Sequence, residues 1–398
     1  MRTTRQSVRK NIENPPKPQH VVIVGAGITG LSTAYYLATK YNIRSVLVDW
    51  SGTIAPGASG KAAGFLARHW SDGTLTEELS HRSFYLHQEL ADAFGADSIQ
   101  YRRLTCVAVN QSTKMKKPKR ITESIKEVKL EWLDRESNEL FIRSVQDMGN
   151  ETNIAQVTPK LLCEKLWEEV QRRGGVLVKG RVMNAVHDDE TGNFIGAKLD
   201  DGRTVRGDAL LYACGPWSAN IMYGIKGHAV TIPTERTLSQ VVFFYNDDDD
   251  DDDGGTECEV YVRPNNTAFC TALAGELKLV TEEPGKETVE ADVIDGVLEA
   301  VRGCSGTEGL LCGDPVLQSA CYQPVTSDFL PVIGALSKEE AGGENCYMAS
   351  GNNCWGILWG PATGECIADL IATGTTRLNI RDFNPSRFPD LKPVPQNN

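Results

Sequence analysis

The chain has 398 residues, 40% hydrophobic and 24% charged, with a formal net charge of −12. Such an acidic balance argues against a broad nucleic-acid surface, no apolar run reaches the roughly 18 residues of a membrane span, and the length suffices for two domains with cores of their own. The cysteines number 11, scattered with no CxxC pair, which fits buried free thiols in a reducing compartment rather than a disulfide framework or a zinc site.

Residues 1–18 are basic and polar without an apolar core, so they read as a disordered arm and not as a secretory signal. Arg2, Arg5, Arg9 and Lys10 leave a mitochondrial transit segment open as the alternative to a cytoplasmic location, against which Glu13 and the following prolines weigh. The chain then organises around residues 21–49. Four apolar residues (VVIV) run into Gly25-Ala26-Gly27-Ile28-Thr29-Gly30, an apolar stretch follows at helical spacing, and a second short apolar run ends on Asp49. Strand, tight turn, helix and strand in this register form a dinucleotide-binding unit. Gly25 permits the turn, Gly27 lets backbone approach a pyrophosphate, and Gly30 lets the helix pack close to the strand. The first-turn N–H groups and the helix dipole favour phosphate, and Asp49 can accept from ribose hydroxyls. This pattern fits an adenine dinucleotide without separating FAD from NAD.

Beyond Asp49, residues 51–70 are rich in Gly, Ala and Ser, which lets backbone pass close to a flat ligand. Residues 76–94 read as a helix, 101–110 as a strand, and 114–148 as charged and irregular with a helix around 121–134. Thr158 is an N-cap and Pro159 a first helical residue; residues 161–170 carry an apolar face, and Gly174-Gly175 ends the helix. A strand starts at Val176 and is expected to continue through Gly180-Arg181-Val182. Residues 194–207 read as a hairpin around Asp201-Gly202, and residues 209–214 as a buried strand lying beside the first, with its end at Gly215 facing the ligand. Strands are expected at 241–245 and 259–262, joined by seven aspartates, Asp247 to Asp253, that repel one another and read as a solvated hairpin tip rather than a metal loop. Residues 286–303 look like one amphipathic helix. A short strand ending at Ser350-Gly351 and a helix from Pro361 to Thr373 return to the first domain. The six histidines show no metal-ligand spacing, His81 and His87 reading as helix surface.

The stretches VVIVGAGITGLSTAYYLA, GASGKAAGF, TPKLLCEKL, ALLYACGPWS, TSDFLPVIG and SGNNCWGILWGPATGECIADLIATG occur together and in order over nearly the whole chain. In this the sequence resembles the D-amino acid oxidase, glycine oxidase and sarcosine oxidase family of FAD-dependent oxidoreductases. The resemblance implies an α/β fold: a Rossmann-like FAD-binding domain of GR2 type with an inserted α+β substrate domain carrying a mostly antiparallel sheet. The expected division is 19–100, 150–225 and 315–375 for the FAD domain, 101–149 and 226–314 for the substrate domain, and 376–398 for a tail. It further implies oxidation of an amine or amino acid by hydride transfer to flavin N5, with reoxidation by molecular oxygen to hydrogen peroxide. Oligomeric state stays open. Expected FAD contacts are the Gly25 to Gly30 turn, Asp49, Trp50, Ser59, Gly60, Ala63, Gly64, Arg181, Val182, Cys214, Gly215, Trp217, Gly351, Asn352, Trp355, Gly356, Ile357 and Leu358.

Departures from the family bear on the substrate. Gln323 stands where glycine oxidase would place the arginine that holds a substrate carboxylate, and an amide cannot replace a bidentate guanidinium at equal strength. Cys354 or Leu358 stands where relatives carry a basic residue, so Arg263 or Arg68 takes that role or the substrate is not an amino acid. Tyr261 and Arg263 share one face of a strand and, with Gln323, are the candidates for substrate contact. Cys321 matches the cysteine that carries covalent flavin in the sarcosine oxidase branch; a buried free thiol is the preferred reading. Trp359 is expected to pack, while Trp355 could pack or cover the flavin. Two other functions stay open: a flavoprotein without turnover serving in binding or trafficking, and an NAD(P)-dependent dehydrogenase.

Overall fold

Four consecutive apolar residues mark a strand covered on both faces. In the computed structural model, which describes residues 18–112, 128–133, 141–246, 256–272, 275–305 and 310–393, they form β1 (His20–Val24). From it the chain runs through α1 (Ile28–Tyr41), β2 (Arg44–Asp49), α2 (Ala58–Lys61), β3 (Phe65–Ala67) and α3 (Glu77–Phe94). Then come β4 (Arg102–Arg103), β5 (Thr105–Ser112), β6 (Phe141–Gly149), β7 (Ile154–Gln156), α4 (Pro159–Arg172), β8 (Val176–Lys179), β9 (Val182–His187), β10 (Phe194–Leu199), β11 (Thr204–Arg206) and β12 (Ala209–Tyr212). The second half contains β13 (Tyr223–Pro233), β14 (Gln240–Asn246), β15 (Thr256–Arg263), β16 (Thr267–Thr271), β17 (Leu277–Lys278), α5 (Ala291–Ser305) and β18 (Leu317–Val325). It closes with β19 (Val332–Ala335), α6 (Lys338–Ala341), β20 (Cys346–Ser350) and α7 (Gly356–Thr373).

The first sheet has the order β19-β20-β12-β1-β2-β8, parallel except for the β19–β20 pair. Helices α1, α3, α4 and α7 supply apolar faces to one side of it, where Ile23, Leu31, Leu37, Leu86, Leu166 and Ile367 are fully or nearly fully buried. The β9–β11 sheet and residues Phe388 and Leu391 cover its other face, with Phe194 in that core. A second, mostly antiparallel sheet has the order β17-β13-β16-β15-β14-β5-β6, with β18 also paired to β13, and α5 packs against it. This is the α/β fold with an antiparallel second sheet expected from the sequence.

Several elements differ from expectation for local reasons. The strand at Val176 stops at Lys179: Gly180 N–H makes the last ladder bond to β2, at the Asp49 carbonyl, and Arg181 N–H goes instead to the Asp200 carboxylate; Val182 opens a strand of another sheet. The helix expected over 286–303 is Ala291–Ser305, the residues before it forming a loop. Residues 1–17 of the expected arm and the seven aspartates lie outside the described residues. So does most of the helix expected at 121–134; its residues 128–133 are described and not helical.

The last helix starts at Gly356 rather than Pro361. Proline inside a helix leaves the carbonyl four residues earlier without its N–H partner. Here that carbonyl belongs to Ile357, and the imidazole Nε2 of His87 sits 2.9 Å from it. His87 is fully buried, not on the helix surface as its sequence spacing indicated.

Candidate functional site

Gly25 has φ +105°, and a Cβ there would lie 2.4 Å from the Ala213 carbonyl oxygen, so only glycine lets β1 turn against β12. The turn is braced by Asp49, whose Oδ2 accepts from Ala26 N–H at 3.0 Å and whose Oδ1 accepts from the Ser51 N–H and hydroxyl at 2.9 and 2.6 Å. At Gly30 a Cβ would sit 2.2 Å from the Gly25 carbonyl, which is the close helix-strand approach that the spacing predicts. The loop after β2 folds over the start of α1, where Ser59 Oγ accepts from Ile28 N–H at 3.0 Å.

These elements open onto a cleft of about 470 Å³, a size usual for a ligand site. Of the residues expected to touch the cofactor, Gly25, Gly27, Ile28, Thr29, Asp49, Trp50, Ser59, Ala63, Arg181, Val182, Cys214, Gly215, Trp217, Gly351, Asn352, Gly356 and Ile357 line it. Ala26, Gly30, Gly60, Gly64, Trp355 and Leu358 do not. Ala26 and Gly30 shape the turn, Gly60 and Gly64 press on the carbonyls of Ala55 and Val157, and Leu358 is core. Trp355 packs against Trp70 and Trp359, and Trp359 is buried with its indole N–H on Ser80.

The cleft suits a dinucleotide by its donor set. In the first turn of α1, Thr29 lines it and its N–H has no intrahelical acceptor, Ile28 N–H being taken by Ser59, and Arg181 stacks on Trp50 at 4.4 Å beside Asp49. A Cβ on Gly215 would meet nothing within 4 Å. The Oδ1 of Asn352 is buried with no protein partner while its amide nitrogen lies 3.4 Å from Thr29 Oγ1, an acceptor left for a ligand donor.

The opposite wall is the antiparallel sheet. Residues paired across strands share a face, and one row reads Glu259, Thr271, Ala229 and Ser319 across β15, β16, β13 and β18. All four line the cleft, as do Tyr261 and its partner Phe269, and Cys321 and Gln323 further along β18. At the usual strand spacing, three steps separate β15 from β18 by about 14 Å along the sheet. Tyr261 and Gln323 therefore address different parts of the cleft. Arg263 does not line it: its guanidinium lies 5.2 Å from the Phe269 ring, donates to the Ala62 carbonyl at 3.2 Å, and is pushed down to about 10 by burial. Arg68 is likewise away from the cleft, over the Tyr85 ring.

A loop between β17 and α5 roofs the cleft with Thr281 and Pro284. Trp217 indole N–H donates to the Glu282 carbonyl at 2.9 Å, and the Glu282 carboxylate takes bonds from Tyr322 and from Thr288 N–H and pairs with Lys226 at 3.3 Å. Burial pushes that carboxyl up, but these partners outweigh it and hold it at about 2. Lys61, in α2, pairs with Glu287 at 2.5 Å and donates to the Ala320 carbonyl at 3.0 Å. Burial pushes the Cys321 thiol up to about 12, against the pull of Lys61. Sequence reasoning missed Glu259, Lys61 and Glu287, which carry no motif and matter through their neighbours. It also found no metal spacing among the histidines, yet the fold brings His69, Asp72 and His81 together on the surface, with ligand atoms within 4.8 Å of one another.

A profile of the FAD dependent oxidoreductase family matches residues 20–370. An oxidoreductase of Schizosaccharomyces pombe is 28% identical over 398 aligned positions, covering 92% of this chain and 98% of that protein. The structure of glycine oxidase from Geobacillus kaustophilus superposes with a TM-score of 0.69 at 19% identity, over 92% of this chain and 98% of that one. Iminodiacetate oxidase from Chelativorans sp. BNC1 gives 0.69 at 18% identity, with 92% and 98% coverage. At such identities the two structural matches speak for the fold.

Proposed function

The chain belongs to the FAD dependent oxidoreductase family, and from that premise we propose that it oxidises the C–N bond of an amine or amino-acid-like substrate, with molecular oxygen as the final acceptor and hydrogen peroxide as product. The observation that carries this reading is the convergence of the glycine turn, Asp49 and the Gly351 to Ile357 segment on one cleft whose other wall is the antiparallel sheet.

In the proposed assignment, Gly25, Gly27 and the first turn of α1 receive the pyrophosphate, Asp49 the adenosine ribose, and Asn352 with Ile357 the isoalloxazine end. Bound FAD supplies the hydride acceptor and the route to oxygen. The protein's part is to orient the substrate C–H and exclude water. Tyr261 and Phe269 give that end an apolar surface. His228 accepts Glu290 N–H at its Nε2 and is held neutral by burial, so it adds no fixed positive charge.

The purified protein should be yellow, release FAD on denaturation, and lose its flavin absorption band when amines are added without oxygen. A colourless protein that binds NAD(P) would refute the assignment. Bound FAD that no amine or amino acid reduces would favour the binding-protein reading, for which the glutamine at position 323 is the specific motive.

A further inference from the structure

We propose that the substrate end of the cleft is a receptor for a cationic amine that carries no carboxylate beside its nitrogen; this rests on the amine-oxidising reading above. Its centre is Glu259. This carboxylate lines the cleft from β15, is half-buried, and makes no ion pair among the described residues. Its bond from a neighbouring side chain comes from the Tyr261 hydroxyl at 2.7 Å. Taking a carboxylate out of water without a cation is costly, and burial pushes this one up from the usual carboxylate range against the pull of Tyr261. A positively charged ligand is the partner the site lacks.

The walls around Glu259 fit such a ligand. Tyr261 presents a ring set among Phe65, Phe243 and Phe269, with centroids 5.5, 5.7 and 6.3 Å away, and aromatic faces attract ammonium groups. The nearby Cys354 thiol is pushed up to about 11 by burial and by Glu259 itself, so it brings no competing charge at neutral pH.

The same walls reject an α-carboxylate. It would face Glu259, and the basic groups that could hold it are committed elsewhere. Lys61 is paired with Glu287 and bonded to the Ala320 carbonyl, Arg263 is folded behind Phe269, and Arg181 is stacked on Trp50 at the ribose end. Gln323 offers its amide three strands away and four residues further along β18, roughly 19 Å across the sheet. The charge of Glu259 also predicts a pH effect. It favours the protonated amine, so the oxidisable neutral form appears only at higher pH, and removing the charge should move flavin reduction to lower pH while weakening binding.

The test uses the FAD-bound protein and two probes of similar size that cannot be oxidised at nitrogen, benzyltrimethylammonium and benzoate, read by the change each makes in the flavin absorption spectrum. The ammonium should bind at least about ten-fold more tightly than benzoate, and Glu259→Gln should remove about ten-fold or more of its affinity while sparing or improving benzoate. Tighter binding of benzoate, or an ammonium affinity unchanged in Glu259→Gln, overturns the proposal. If the variant does not retain flavin, the wild-type comparison of the two probes decides alone. A matched pair, N-methylbenzylamine and N-methylphenylglycine, separates this from the proposed reaction under anaerobic conditions. Flavin reduction by the acid alone refutes the receptor and leaves the reaction standing. Reduction by neither, with the ammonium still bound, leaves the receptor standing and makes the wider amine and amino-acid series the test of the reaction.

Discussion

The pairing of His87 with the Ile357 carbonyl makes a quantitative prediction about stability and pH. Nε2–H donates to the carbonyl that Pro361 leaves open, while Nδ1 is buried with no partner. Protonation would place a second N–H and a charge where neither can be satisfied, and burial accordingly pushes the imidazole from 6.5 down to about 4, against the two helix carbonyls that favour the charged form. Because the folded value is depressed, the unfolded chain binds the proton first. Stability from this group is complete above about pH 6.5 and is lost as pH falls towards about pH 4. With those two values, the loss between about pH 7.5 and about pH 5 is about 2 kcal/mol. Glu and Asp residues titrate over the same range, so the comparison must be with a variant that keeps the bond but not the titration. His87→Gln retains an N–H donor for Ile357 and should be less stable than the wild type at about pH 7.5, by about 1 kcal/mol for altered packing. At about pH 5 the gap should have shifted by about 2 kcal/mol, so that the variant is the more stable by about 1 kcal/mol. Chemical denaturation of both proteins at saturating FAD, over a series of pH values, measures the gap with the ligand contribution held common. Stability curves that run parallel from pH 7.5 to 5 would refute the buried, neutral assignment of His87 and, with it, the account of how α7 begins five residues ahead of its proline.

Two other perturbations probe the cleft. Gly30→Ala adds a methyl 2.2 Å from the Gly25 carbonyl and 3.1 Å from Ile23 Cγ2; since backbone must move, it should cost about 1–3 kcal/mol and weaken FAD retention, measured by melting temperature and flavin release, and unchanged retention would show that the close approach does not shape the turn. At Cys321, burial keeps the thiol protonated at neutral pH, and the thiolate is the reactive form. Acid precipitation should therefore leave the flavin in solution from both the wild type and Cys321→Ser, whereas a yellow pellet from the wild type alone would establish a covalent link.

Part of this protein was legible in its residues. The turn Gly25-Ala26-Gly27, the Gly30 approach and Asp49 act within one strand-helix-strand unit, so their spacing alone predicts the cradle. Alternation along β15 likewise showed that Tyr261 and Arg263 share a face. It could not show that Arg263 would fold back to Ala62 and Phe269, because that choice depends on what the neighbouring strand and α2 present to it.

Local pattern determined the strand-turn-helix-strand unit because backbone conformation and short-range hydrogen bonds are set by neighbours in sequence. The sheet wall of the cleft was decided by sheet order, which does not follow chain order: β18 lies beside β13, and β16 stands between β13 and β15. A period of two says which residues face together, but not which strand lies alongside. Only that arrangement sets Glu259 in line with Thr271, Ala229 and Ser319, keeps Gln323 roughly 19 Å away, and brings His87 to a carbonyl 270 residues further on.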